Sequence, residues 1–309
     1  MIYLLILIIL IATILGISYY AFRTAFLAPP HLDANHYYVP ESEQFDNVKE
    51  GIKKSVARMA QRKYDSITIT SFDGSKLFAR YYHVADDAPV QIFFHGYKSS
   101  SLLDCSGGSY FAKQLGHNAI VVDQRSHGQS DGTIITFGIK ERKDCLCWIE
   151  YAINRFGKDT KIILSGLSMG AATVLMATDL NLPPNIKGII ADCPYSSPKE
   201  IILKVCKEMH FPPRLMYPFI WLGARLFGHF NLSESSALEA LKNCDIPILI
   251  LHGMEDALVP CEMSKAMQAC GATDITLELF DGAGHGLSYI ILPEKYEKTV
   301  LEFTKRCLA

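Results

Sequence analysis

Hydrophobic and polar positions divide the chain into unlike stretches. Residues 1–22 are apolar almost without interruption, 19 of the 22, and none is charged. Such a run has no polar face, so it suits neither a surface helix nor a core helix of a soluble domain. At about 1.5 Å per residue, about 20 helical residues cross a hydrocarbon core of about 30 Å. A Pro-containing segment from Ala28 to Pro40 then reads as a linker, and Ser42 to Arg62 as a charged helical stretch. SITIT at 66–70 and KLFARYYHV at 76–84 flank the turn residues Asp73 and Gly74 and predict a hairpin. Beyond it, short apolar runs at 90–94, 118–123, 161–166, 187–192, 247–253 and 274–280 alternate with helix-length segments at 101–115, 139–156, 169–179, 260–270 and 289–307. Continuous apolar strands separated by helices predict an α/β fold, a mostly parallel central sheet covered by helices on both faces. The interval 194–243 is longer than a simple crossover needs, holds Pro194, Pro198, Pro212, Pro213 and Pro218, and carries helical patterns such as EIILKVCKEM and FIWLGARLF. It predicts a helical insertion above the sheet. The expected organisation is therefore a transmembrane anchor over 1–23, a linker and N-terminal helix over 24–64, and one α/β domain over 65–309.

Composition changes this picture in one respect. The chain is 49% hydrophobic, but without its first 22 residues the figure is about 46%, an ordinary globular value. With 30 basic against 32 acidic residues there is no excess positive charge for nucleic acid, and that partner class is excluded. The N-terminal run has a rival reading as a cleaved signal peptide. It lacks a basic n-region, exceeds a usual h-region, and no clean A-x-A site follows it, which favours an uncleaved single-pass anchor. Tyr19, Tyr20 and Arg23 suit a membrane interface, and Arg23 favours a cytoplasmic globular part. The nine cysteines form no C-x-x-C pair, so neither a zinc site nor a disulfide framework is expected, and a reducing compartment fits them better.

The chemistry centres on Gly166-Leu167-Ser168-Met169-Gly170, between the apolar KIIL and the helical AATVLMAT. A serine flanked by Gly166 and Gly170 at a strand-to-helix turn can be held on a sharp bend with its hydroxyl above the sheet edge. The following helix aims its free N–H groups at the same place. The serine needs a general base. His285, in Gly282-Ala283-Gly284-His285-Gly286 after the last strand, lies at the same edge of a parallel sheet. Asp256, on the loop after the strand at 247–251, supplies an orienting carboxylate; Glu255 is its competitor, and Asp245, Asp274 and Asp281 are worse placed. The backbone N–H groups of Met169 and, from the turn Phe93-Phe94-His95-Gly96-Tyr97, of Tyr97 are candidate oxyanion donors. The apolar set Phe211, Met216, Tyr217, Phe219, Trp221 and Phe227 either lines an acyl pocket or packs the insertion onto the main domain, and packing is favoured.

Ser168, Asp256 and His285 in that order, the His95-Gly96 turn, and Asp123-Gln124-Arg125-Ser126-His127-Gly128-Gln129-Ser130 together resemble the α/β-hydrolases over roughly residues 65–307. The similarity is to membrane-anchored bacterial serine hydrolases of the esterase, thioesterase and serine-peptidase-like branch. The resemblance implies a helical cap over 194–243, acyl transfer through Ser168 with no metal or organic cofactor, and structural roles for Asp123, Arg125 and His127. His252 reads as a satisfied core histidine. The expected substrate is a small or lipid-like ester, with amide and thioester cleavage, or a non-catalytic tethered binding protein, as alternatives.

Overall fold

The computed structural model describes residues 1–29, 43–46, 48–271 and 274–309. Most of the linker expected over Ala28–Pro40 lies outside the described residues. The hairpin forms as expected: β1 (Asp65–Thr70) and β2 (Lys76–Tyr82) pair antiparallel, with Gly74 at φ +89° in the turn between them. Six further strands follow, β3 (Val90–Phe94), β4 (Asn118–Asp123), β5 (Ile162–Leu167), β6 (Ile186–Asp192), β7 (Ile248–Gly253) and β8 (Ile275–Phe280). They lie in one eight-stranded sheet of order β1-β2-β4-β3-β5-β6-β7-β8. β2 runs antiparallel to β4, and every pairing from β4 to β8 is parallel. β3, β4 and β7 are buried along their whole length, which is why their sequences are chiefly apolar.

Helices cover both faces. α1 (Ile2–Phe26) precedes the sheet, followed by α2 (Glu43–Asp46) and α3 (Lys49–Ala60). The segment expected as one helix over 101–115 is two, α4 (Ser101–Asp104) and α5 (Ser106–Gln114), divided at Cys105. α6 (Glu141–Phe156) and α7 (Met169–Met176) follow, α7 closing in a 3-10 turn over Ala177–Leu180. Residues 194–243 contain α8 (Pro198–Glu208), α9 (Pro213–Leu226) and α10 (Ala237–Leu241). α11 (Cys261–Gln268) comes after β7. The segment expected as a helix over 289–307 breaks at Leu292 into α12 (Ser288–Ile291) and α13 (Pro293–Leu308), because Pro293 has no N–H to continue α12 and suits the first turn of α13.

α1 is long and apolar enough to cross a membrane by length and composition. Its end is part of the domain. Ser18, Ala21, Phe22 and Phe26 are buried, and Phe26 meets Phe137 and Phe230 edge-on at ring distances of 5.6 and 5.2 Å. Backbone bonds from Ala28 to Thr133 and from Ile135 to Phe26 tie the chain after α1 to the domain.

Candidate active site

The parallel strands end together, and the loops leaving their C-terminal ends bring Ser168, Asp256 and His285 into one place. Ser168 is the residue between β5 and α7, at φ +54° and ψ −113°, where a non-glycine residue is strained. The bend is possible only because its neighbours lack side chains. A Cβ at Gly166 would lie 2.3 Å from the backbone of Gly170, and one at Gly170 would lie 2.1 Å from the Phe94 carbonyl oxygen. The Ser168 hydroxyl donates to His285 Nε2 over 2.9 Å, and His285 Nδ1–H donates to Asp256 Oδ2 over 2.7 Å. The other oxygen of Asp256 accepts from the N–H groups of Leu258 and Val259 at 3.0 and 2.8 Å. Glu255 is exposed and takes no part.

Asp256 is more elaborately held than sequence reasoning foresaw. His252, fully buried, has its Nε2 2.8 Å from the Val259 carbonyl and 3.3 Å from Asp256 Oδ2, while the Ser264 hydroxyl meets its Nδ1 at 2.6 Å. It is the satisfied core histidine of the sequence reading, and it also braces Asp256. Burial alone would raise the Asp256 carboxyl, but the hydrogen bonds from His252 and His285 outweigh it and hold the group at about 2.

The turn at 95–99 is clamped from two sides. Gly96 N–H donates to Asp104 Oδ2 over 2.7 Å, and the Ser99 hydroxyl donates to Asp104 Oδ1 over 2.7 Å. Burial pushes this carboxyl up against those same bonds. Lys98 N–H donates to His127 Nε2 over 3.1 Å, and Gln124 N–H donates to His95 Nε2 over 3.0 Å. The turn passes close to Ser168, since a Cβ built on Gly96 would lie 3.5 Å from that of Ser168. Among the described residues the Tyr97 N–H has no acceptor. The Met169 N–H belongs to the first turn of α7, where backbone donors have no intrahelical partner.

The 123–130 loop is a scaffold. Asp123 takes Arg80 at 3.1 Å and the Ser101 hydroxyl, and Arg125 forks onto Asp144 at 2.6 and 2.7 Å with Asp73 at 2.9 Å. His127 holds the 95–99 turn through Lys98.

Two buried residues escaped the sequence reading. Cys193 Sγ lies 4.0 Å from His285 Nε2, and burial pushes its thiol well above the usual range. Asp192, at the end of β6, has one carboxylate oxygen without a partner, and burial pushes it up to about 6 against the opposing pull of His252 and Tyr296. Neither carried a signal in the sequence, because each matters only through what β6 places beside it. Ligand atoms of Cys193, Asp256 and His285 lie within 4.8 Å of one another, but a metal there would have to break the Asp256–His285 bond and ionise a buried thiol.

A cavity of about 620 Å³ opens at Ser168 and His285. Its apolar wall comes from Phe45 and Ile52 of the N-terminal helices, from Phe93, Leu103 and Phe111, and from Ile290 and Val300. Asp104, Asp192 and the Gln91–Ser165 pair supply polar points. None of Phe211, Met216, Tyr217, Phe219, Trp221 or Phe227 lines it. Phe227 instead packs on Tyr19 and Phe22 of α1 at ring distances of 5.1 and 6.0 Å, and Met216 and Tyr217 pack against the core, whereas Phe211 and Trp221 are exposed, so the packing reading holds for only part of this set.

Comparison with known proteins agrees with this architecture. Residues 89–222 match the model of the alpha/beta hydrolase fold. The chain is 26% identical over 224 residues to the uncharacterised protein YqkD of Bacillus subtilis, covering 72% of this chain and 73% of that one. It is 23% identical over 280 residues to a non-heme chloroperoxidase of Streptomyces lividans, covering 77% of this chain and 99% of that protein. Among solved structures it resembles the Pyrococcus furiosus esterase PF2001, with a TM-score of 0.68 and 22% identity over 91% of this chain and 98% of that one. The strand order, the parallel sheet from β3 to β8 and these matches together place the chain among proteins of the α/β-hydrolase fold.

Proposed function

We propose that this chain is a serine hydrolase that cleaves carboxylic esters with an apolar acyl part, held at a membrane by α1. The observation that carries the reading is the hydrogen-bond chain from Ser168 through His285 to Asp256 at the mouth of a largely apolar cavity. In the first step His285 Nε2 accepts the Ser168 proton as Oγ attacks the ester carbonyl carbon. Asp256 holds the imidazole with Nδ1 protonated and stabilises the imidazolium. The carbonyl oxygen, now negative, is met by the Met169 and Tyr97 amides. As the tetrahedral centre collapses, the proton on His285 passes to the leaving alcohol. Water then attacks the acyl-enzyme with His285 as base, releases the acid and restores Ser168.

Amide and thioester cleavage use the same steps. The ester is preferred because the cavity is chiefly apolar, and because the solved structures it resembles include esterases from Pyrococcus furiosus and Butyrivibrio proteoclasticus. The membrane part of the reading is supported by the burial of Ser18, Ala21, Phe22 and Phe26. Cleavage at the end of the apolar run would strip aromatic side chains from the core, which a removable signal peptide does not do.

A fluorophosphonate probe tests the enzyme reading. The wild-type chain is expected to label, and Ser168→Ala to lose both labelling and turnover of p-nitrophenyl esters by about 10⁴-fold or more. Well-folded wild-type protein that neither labels nor turns over would make it a tethered binding protein instead.

A further inference from the structure

We propose that the outer face of α9, with the turn before it, lies in the headgroup boundary of the bilayer beside α1. This deepens the reading of α1 as a membrane span and rests on it. Every residue from Ile2 to Ile17 is exposed, and burial begins at Ser18. At 1.5 Å per residue that free stretch covers about 24 Å, some 6 Å short of a hydrocarbon core of about 30 Å. The span therefore continues through Ser18–Ala21, and there α1 is not alone. α9 packs on it so closely that a Cβ at Gly223 would come within 2.4 Å of the Ser18 carbonyl oxygen. Whatever α9 shows to the outside at that level meets lipid.

What it shows suits that place. Trp221 and Leu226 are exposed within a turn of Gly223, Leu215 is exposed further back, and Phe211 and Met209 are exposed just before the helix. Residues 209–230 contain no Asp or Glu, while Arg214 and Arg225 are exposed and form no ion pair with a described residue. An apolar, tryptophan-bearing face edged with arginines is the composition that settles at an interface, with the rings among the upper acyl chains and the guanidinium groups at the phosphates.

The consequence reaches the site. Tyr97 donates its hydroxyl to the Ala25 carbonyl over 2.7 Å and Lys98 Nζ reaches the Thr24 carbonyl at 3.2 Å. The oxyanion turn is thus fastened to α1 about 6 Å beyond the end of the span, so the substrate class this placement favours is esters dissolved in the membrane.

The chain has two tryptophans, and Trp148 is fully buried, so Trp221 is a natural depth reporter. The full chain is reconstituted in phosphatidylcholine–phosphatidylglycerol vesicles, washed with carbonate, and its emission compared with and without lipids brominated near the top of the acyl chains. The expected result is quenching of the wild type that disappears in Trp221→Phe. Unquenched emission from a chain that survives the wash overturns the proposal and leaves the anchor standing; that includes a Trp221 shielded by a second copy. Release of the chain by carbonate overturns the anchor, and the proposal with it.

Discussion

Asp104 lies at neither end of the Ser168–His285–Asp256 chain, yet it fixes the turn that carries the Tyr97 amide, the proposed second oxyanion donor. Both its oxygens are used, one by the Gly96 amide and one by the Ser99 hydroxyl. Asn keeps one acceptor and turns the other into a donor that faces a donor, so one side of the clamp opens. Removing an oxyanion donor outright costs about 10²–10³ in kcat. Loosening one should cost less, and Asp104→Asn is expected to lower kcat about tenfold while leaving KM nearly unchanged, measured on a p-nitrophenyl ester. A rise in KM at constant kcat would mean that Asp104 holds substrate instead. The three residues at the centre were legible because each sits in a local context that its chemistry requires: glycines around Ser168, a strand end before Asp256, a glycine-rich loop around His285. Asp104, Cys193, Asp192 and the bracing role of His252 were not, since nothing within a few residues of them distinguishes them.

Strands were the most legible elements. The six apolar runs fall within about two residues of β3 to β8, because strands inside a sheet covered on both faces are chiefly apolar, and the buried Gln91 and Ser165 within β3 and β5 are accommodated by bonding to each other. Helix breaks were less so, as at Cys105 between α4 and α5 and at Leu292 between α12 and α13. The largest gap concerns α1 and α3, which the pattern set apart from the α/β domain. Phe26 is fully buried among Phe22, Phe137 and Phe230. Phe26→Ala is expected to cost about 3–5 kcal/mol in unfolding of the detergent-solubilised chain, whereas Leu7→Ala on the exposed part should cost under about 0.5 kcal/mol. Equal effects would show α1 to be a mere leash. α3 contributes Ile52, Ser55 and Arg58 to the cavity wall. Ser55→Trp should therefore narrow the cavity, raising KM for an octanoyl ester several-fold while an acetyl ester is turned over as before; indifference of both esters would place the acyl group elsewhere.

Stability against pH belongs to the whole molecule, and two buried carboxylates at neighbouring strand ends pull it in opposite directions. Asp256 is held at about 2 by its histidine partners, below the ordinary carboxylate value of 3.8. Its native state therefore favours the ionised form, contributing roughly 2 kcal/mol above about pH 4 that is lost as pH falls towards 2. Asp192 is pushed up to about 6 by burial. Its native state binds the proton more tightly than the unfolded chain does, so stability is greatest below about pH 4, falls as pH rises towards 6, and is flat above. The ionised form costs on the order of 3 kcal/mol, the penalty of a buried carboxylate with one oxygen unpaired. An amide of the same shape removes that penalty without emptying the site, and its oxygen can still accept from Tyr296. Asp192→Asn is accordingly expected to unfold several degrees above the wild type at pH 8 and to show no difference at pH 4, as followed by thermal denaturation across that range. The same shift at both pH values would mean that the unpaired oxygen, and not its charge, is what burdens the fold. A large loss of stability at pH 8 would mean that the ionised Asp192 is needed by the histidines around it, and that the strand ends tolerate two negative charges because His252 lies between them.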